Sequence, residues 1–154
     1  MMQPVSAVQV RPARPEDLQA VISLCAEHAA FERTSFSPEG KTEMLSRALF
    51  HATPRARCLV AECRTEIVGY AVCTCEFSTW MACEYLHMDC LYLNANHRRA
   101  GLGSRIMAEV TRLACELGCK HIEWQTPAWN SDAARFYDRL GAISNPKLRY
   151  RLTL

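Results

Sequence analysis

The chain reads as one α/β domain: a mixed, mostly antiparallel sheet with helices on both faces. Three observations predict it. Strand-like apolar runs and helical stripes of 3.6-residue period alternate along the sequence. Two strand-like runs are joined by the short turn Arg64-Thr65-Glu66, which makes them a hairpin. A further strand runs through a glycine turn straight into a long amphipathic helix. At 154 residues and 49% hydrophobic, the chain has the size of one domain, 1–154, with a substantial core.

Val8 to Arg11 reads as a first strand. Pro15 suits the first turn of a helix, and Glu16 and Asp17 favour its positive end. Leu18, Val21, Ile22, Cys25 and Ala29 then recur at helical spacing to about Phe31. Ser37-Pro38-Glu39 starts a second helix with Met44, Leu45, Ala48 and Leu49 as its stripe. Residues His51 to Arg55 form a loop. Cys58–Cys63 and Ile67–Phe77 are the hairpin strands, and Glu84–Leu93 is the next strand. In strict alternation Leu86, Met88, Cys90 and Tyr92 face one way and His87, Asp89, Leu91 and Leu93 the other. The helix after the glycine turn carries Leu102, Ile106, Val110, Leu113 and Leu117, and Gly118 stops it. Ile122–Thr126 is a strand. Asn130 and Ser131 suit the cap of a helix carrying Ala134, Phe136, Tyr137 and Leu140, which Gly141 ends. Leu148–Leu154 is expected as a last strand. The order is β-α-α-β-β-β-α-β-α-β.

Composition narrows the function. A net charge of +2 is too small to argue for nucleic acid or a membrane surface as partner. No apolar run has the length of a membrane span. Met1-Met2-Gln3-Pro4-Val5 lacks the basic region and apolar core of a secretory signal, so a cytoplasmic protein is expected. The nine cysteines include no C-x-x-C and read as small buried hydrophobes in a reducing compartment. The five histidines include no H-E-x-x-H, and no metal is expected.

The stretch Leu91-Tyr92-Leu93-Asn94-Ala95-Asn96-His97-Arg98-Arg99-Ala100-Gly101-Leu102-Gly103-Ser104 carries the strongest functional signal. A glycine turn between a strand and a helix wraps backbone N–H groups around a phosphate, and the helix dipole faces it. Arg98 and Arg99 supply charge-assisted hydrogen bonds. The turn lacks the G-x-x-x-x-G-K-[ST] of a P-loop and the third glycine of a dinucleotide fingerprint. A glycine pair at such a place also serves as a tight connection and nothing more.

Arg98-x-x-Gly101-x-Gly103, the later Asn130-x-x-Ala133…Phe136-Tyr137…Gly141 and the opening Val10-Arg11-Pro12-Ala13-Arg14-Pro15-Glu16-Asp17 together resemble the GNAT superfamily of acyl-CoA-dependent N-acyltransferases. The resemblance covers nearly the whole chain and implies a GNAT-like sheet. Cys58-Leu59-Val60-Ala61-Glu62, Val68-Gly69-Tyr70-Ala71 and Trp129-Asn130 are similar to the small diamine and polyamine acetyltransferase branch. That branch usually has consecutive acids on its central strand, where this chain has Asp89-Cys90.

The resemblance implies acetyl-CoA, with CoA as product. Its pyrophosphate would lie in the turn of Arg98, Arg99, Ala100, Gly101, Leu102, Gly103 and Ser104, and its pantetheine arm along Leu91, Tyr92 and Leu93. Asn130 and Ala133 would meet the same arm, or Asn130 only caps its helix. An alkyl ammonium titrates near 10.4, so freeing its lone pair at pH 7 costs about 3 pK units, roughly 4–5 kcal/mol. Asp89, directly or through water, is the expected proton acceptor; Glu84 and Glu123 are the alternatives. Asp89 also reads as a strand-end acid paired with an arginine. Tyr137 matches the family's proton donor to the leaving sulfur, beside a plain packing role. Phe31, Glu32, Trp80, Glu84 and Asp89 are expected to line the acceptor pocket, since aromatics and carboxylates suit a cationic amine. Cys90 as a nucleophile lacks a His/Asn partner. The expected function is acetyl transfer to a primary amine of a small molecule. Folds of this kind often dimerise, so a homodimer belongs to the expectation. Acetylation of a protein N-terminus or lysine, and a non-catalytic acyl-CoA-binding module, are the other readings.

Overall fold

A computed structural model describes residues 8–154. Strand β1 (Val8–Pro12) leads through a 3-10 turn, Pro15–Asp17, into helix α1 (Leu18–Phe31), followed by α2 (Lys41–Phe50). Strands β2 (Arg57–Cys63), β3 (Glu66–Ser78) and β4 (Cys83–Leu93) come next. A second 3-10 turn, Ala95–His97, precedes α3 (Leu102–Glu116), β5 (Ile122–Trp124) and α4 (Ser131–Arg139). The sheet order is β1-β2-β3-β4-β5. Neighbours are antiparallel except β4 and β5, which run parallel. The fold class is the one the sequence predicts. No helix among the described residues is long and apolar enough to cross a membrane.

The sheet buries both faces. On one, Leu59, Ala61, Val68, Ala71, Cys73, Leu86 and Met88 pack against Leu102, Ile106, Met107, Val110 and Ala114 of α3. On the other, Cys58, Val60, Tyr70 and Tyr92 pack against Val21 and Leu24 of α1. All nine cysteines are free thiols. Burial pushes the Cys58 and Cys73 thiols up to about 12, so both behave as small apolar side chains. Helix α2 is a surface helix with no fully buried residue, and Met44 of its expected stripe is exposed.

Two further expectations need correction. Alternation along β4 breaks at Asp89. Val72 pairs with Cys90 and Cys73 with Met88, so Asp89 is an extra residue, a β-bulge. A bulge reverses which face later side chains take. Leu86 and Met88 therefore face α3, and so do Leu91 and Leu93, while Cys90 and Tyr92 face α1. The last strand is the second correction. Residues 142–154 form no helix or strand, and Leu148, Tyr150, Leu152 and Leu154 stand exposed. Their alternation suits a strand, but a strand persists only with a partner, and β5 offers an edge of three residues.

A buried ion pair ties β1 to the start of α1. Arg11 Nη1 and Nη2 donate to Asp17 at 2.7 and 3.0 Å, and Arg11 Nε donates to Glu62 at 2.9 Å. The backbone N–H of Arg14 also donates to Asp17 at 2.7 Å. The guanidinium beside it holds the Asp17 carboxyl below the usual carboxylate range. Removing one partner of such a pair strands the other charge, so Asp17→Ala should cost about 3 kcal/mol of stability. The folded pKa lies below the unfolded one. The contribution is therefore complete above the ordinary carboxylate value, about 3.9, and is lost as pH falls through the folded value. Chemical denaturation of wild type and variant should show a constant gap near neutrality that closes in acid below about pH 4. A gap that persists unchanged into acid would contradict this origin.

Candidate active site

The bulge at Asp89 marks the place where the sheet opens. The β4–β5 ladder consists of Leu86–Ile122, His87–Glu123 and Met88–Trp124, and it ends there. From Asp89 to Leu93, β4 pairs with β3 alone among the described strands. Its other edge presents backbone donors and acceptors, the requirement for adding an extended amide-bearing chain. Gly69 allows β4 to lie so close here: a Cβ on it would stand 2.5 Å from Leu93 Cδ2 and 2.9 Å from Tyr92 O.

At the end of β4 the chain turns into α3. Arg99 has φ 63° and Gly101 φ 79°, both left-handed. Gly101 is the N-cap of α3, and no side chain caps that end. The first N–H groups of a helix have no partner within it, so this end is a ready donor set for an anion. Gly103 serves a different purpose. A Cβ there would stand 3.0 Å from Phe136 Cζ, so its absence lets α4 pack against the start of α3. The two arginines also differ. Arg98 Nε donates to Leu93 O at 2.9 Å, and its guanidinium lies 4.6 Å from the Phe31 ring and 5.2 Å from the Tyr92 ring. It clamps β4 to the end of α1. Arg99 is exposed, 3.9 Å from Asp132.

Helix α4 brings Tyr137. The Asn130 side chain accepts from Ala133 N at 3.3 Å and so caps this helix. The Tyr137 ring packs 5.0 Å from Trp124 and 5.2 Å from Phe136. Burial pushes its phenol up to about 12, with the charge of Glu32 adding to the effect. It is fully protonated at neutral pH.

A match to the acetyltransferase (GNAT) family model spans residues 22–142. The chain belongs to the GNAT acetyltransferase family. It is 29% identical over 143 residues to a thialysine N-epsilon-acetyltransferase of Bos taurus, covering 88% of this chain and 84% of the relative. It is 26% identical over 145 residues to a D-amino-acid N-acetyltransferase of Saccharomyces cerevisiae, covering 94% and 89%. In fold it resembles an aminoglycoside acetyltransferase from an uncultured soil metagenomic sample, with a TM-score of 0.83, 20% identity and 99% coverage of both chains. It is an acetyltransferase, and GNAT membership implies acetyl-CoA. The open edge of β4 and the uncapped start of α3 fit the amide-rich arm and the phosphates of that molecule.

Around this GNAT site Phe31, Tyr92 and Arg98 meet through ring and cation contacts, the charge of Glu32 reaches Tyr137, and the charge of Asp89 reaches His28. Phe31 lies 6.4 Å from the Tyr92 ring and 5.7 Å from Trp129. Trp80 and Glu84 are not brought to it. Trp80 is 97% exposed on the β3–β4 connection. Glu84 accepts from the Cys75 thiol at 3.7 Å, five residues along β4 from Asp89, about 17 Å in an extended strand. Glu123 lies on β5 beside His121, at 2.9 Å. Cys90 is a poor nucleophile, because burial pushes its thiol up to about 12 and leaves little thiolate.

Sequence reasoning missed His28, Tyr70 and Trp129. His28 Nδ1 lies 3.0 Å from the Tyr70 hydroxyl, and its ring stacks on Tyr92 at 5.1 Å. A signal for His28 was present: it precedes Glu32 by four residues and so shares its helix face. Tyr70 and Trp129 stand in segments similar to the diamine and polyamine branch, but nothing in those segments pointed to a role in the site.

Proposed function

We propose that the enzyme transfers the acetyl group of acetyl-CoA to a primary amine of a small molecule by direct attack within a ternary complex. A diamine, a basic amino acid and an amine antibiotic are the candidate acceptors. The observation that carries this reading is the bulge. It places Asp89 at the mouth of the opened sheet, beside the β4 edge that suits the pantetheine arm and within the electrostatic reach of His28. Relatives named for thialysine and D-amino acids support an amine acceptor of small size. Acetyl-CoA supplies an activated thioester. The chain's own residues do the rest. The start of α3 and the turn before it bind phosphate, Leu91, Tyr92 and Leu93 orient the arm, and Asp89 takes the ammonium proton, directly or through water. The Tyr137 hydroxyl gives a proton to the departing sulfur. A homodimer in the cytoplasm belongs to the same proposal. Nucleic acid and membrane play no part in it.

The Asp89 assignment predicts a pH signature. Asp89→Asn should lower kcat/KM about 10²-fold at neutral pH, the lower end of a general-base contribution. Part of that loss should return as pH rises toward the amine's own pKa, where the acceptor arrives deprotonated. Initial rates across pH check this. A variant with the wild-type pH–rate profile removes Asp89 from the mechanism.

A further inference from the structure

Glu32 is oddly placed for a carboxylate. It is the C-cap of α1, at the negative end of the helix dipole, where an acid is disfavoured. Its carboxylate nevertheless acts on Tyr137 and lies 3.5 Å from His28 Nε2. The His28 ring is wedged between two tyrosines. It stacks on Tyr92 at 5.1 Å and 20°, and meets Tyr70 edge-on at 6.0 Å and 71°. Tyr70 is fully buried, and burial raises its phenol far above the ordinary value, so it keeps its proton. Its O–H therefore has a proton to donate, and His28 Nδ1 at 3.0 Å is an acceptor for it. That bond selects the tautomer with the proton on Nε2, the nitrogen facing Glu32.

We propose that His28 is a positioning residue for the acceptor amine: held by Tyr70 and Tyr92, it presents an Nε2–H that aims the Glu32 carboxylate at the ammonium entering beside Asp89. This rests on the amine-acceptor reading above and deepens it. The relay is Tyr70 O–H to Nδ1, then Nε2–H to Glu32. A plain packing role would leave both ring nitrogens without a task.

The relay depends on pH. Charged or titratable groups act on or touch His28 from its neighbouring elements: Glu32 on α1, Tyr70 on β3, Asp89 and Tyr92 on β4, and Arg98 after it, while the Cys25 and Cys90 thiols reach Tyr70. Burial is the main effect on the His28 imidazole and lowers it; Glu32 and Asp89 oppose this, and Arg98 adds to it. The ring is neutral at pH 7. When it protonates in acid it cancels the charge of Glu32 and gives up its bond from Tyr70. The amine then loses its anionic partner, and its KM rises.

Three substitutions, one of them read by a spectrum, test this. His28→Leu should raise the amine KM about tenfold, the weight of one hydrogen bond to a charged group, and leave the KM for acetyl-CoA unchanged. His28→Gln restores a side-chain donor that does not titrate, so its amine KM should stay near wild type at pH 7 and remain flat into acid, where the wild-type value climbs. In nitrogen-labelled protein without any substrate, Glu32→Gln should lower the His28 pKa, since the carboxylate now supports the charged ring. Equal amine KM values in wild type and His28→Leu overturn the proposal. So does a rise in the KM of both substrates together, or a His28 pKa indifferent to Glu32→Gln. If the wild type acetylates no amine, the parent reading fails, and the spectrum still decides whether His28 and Glu32 are coupled.

Discussion

Tyr137→Phe should lower kcat about 10²-fold while the protein folds normally and binds acetyl-CoA nearly as well as wild type. The substitution removes one oxygen. Phenylalanine keeps the ring contacts with Trp124 and Phe136 at 5.0 and 5.2 Å. What is lost is a proton donor that burial keeps protonated, with a phenol pushed up to about 12. A thiolate whose conjugate acid titrates near 8.5 leaves unassisted at some rate, which places the effect at the lower end of the general-acid range, about 10²–10⁴-fold. Single-turnover rates, thermal melting and calorimetric binding separate the outcomes. A loss of stability with kcat intact in the folded fraction would make Tyr137 a core aromatic and nothing more.

Gly101→Val should weaken acetyl-CoA binding by more than about tenfold, roughly 1.4 kcal/mol. Gly101 has φ 79°, and a Cβ added to it would meet no atom within 4 Å, so the obstacle is backbone strain and not crowding. A β-branched residue at that φ costs about 1–3 kcal/mol and pulls the N-cap out of its left-handed conformation. The first N–H groups of α3 then no longer converge on one point. Gly118 is the matched control. It has φ 72° and equally open surroundings, at the opposite end of α3. Gly118→Val should share the loss of stability and keep the binding. Equal affinity in folded Gly101→Val, measured by calorimetry, would move the phosphates elsewhere.

The architecture was legible because its signals are local. The stripe of α3, the hairpin turn and the caps of α4 each need only a few residues to be recognised. Three features lay outside that range. The bulge at Asp89 exists because β3 and β4 pair out of step, and a period-2 pattern read along one strand has no access to its neighbour's register. The alternation of Leu148, Tyr150, Leu152 and Leu154 has the right period, but β5 at the sheet's end is only three residues long, which a pattern read along one segment does not reveal. The contact of the Arg98 guanidinium with Phe31 joins the turn to the end of a helix much earlier in the chain, a pairing that no local pattern reveals. The site follows the same logic. Arg98 and Tyr137 stand in motifs that sequence alone singles out as candidates, and Asp89 is a candidate by its place on the central strand. His28 meets Tyr70 and Tyr92 only because folding brings those strands beneath α1.

The central claim is that this fold transfers acetyl from acetyl-CoA to a small primary amine. Thiol release from acetyl-CoA, measured against a panel of diamines, basic amino acids and amine antibiotics, with mass analysis of both acceptor and protein, tests it most directly. The expected result is saturable thiol release with at least one of these amines, one acetyl group gained by that amine and an unmodified protein. Thiol release with none of them, or an acetyl group found on Cys90, would contradict it.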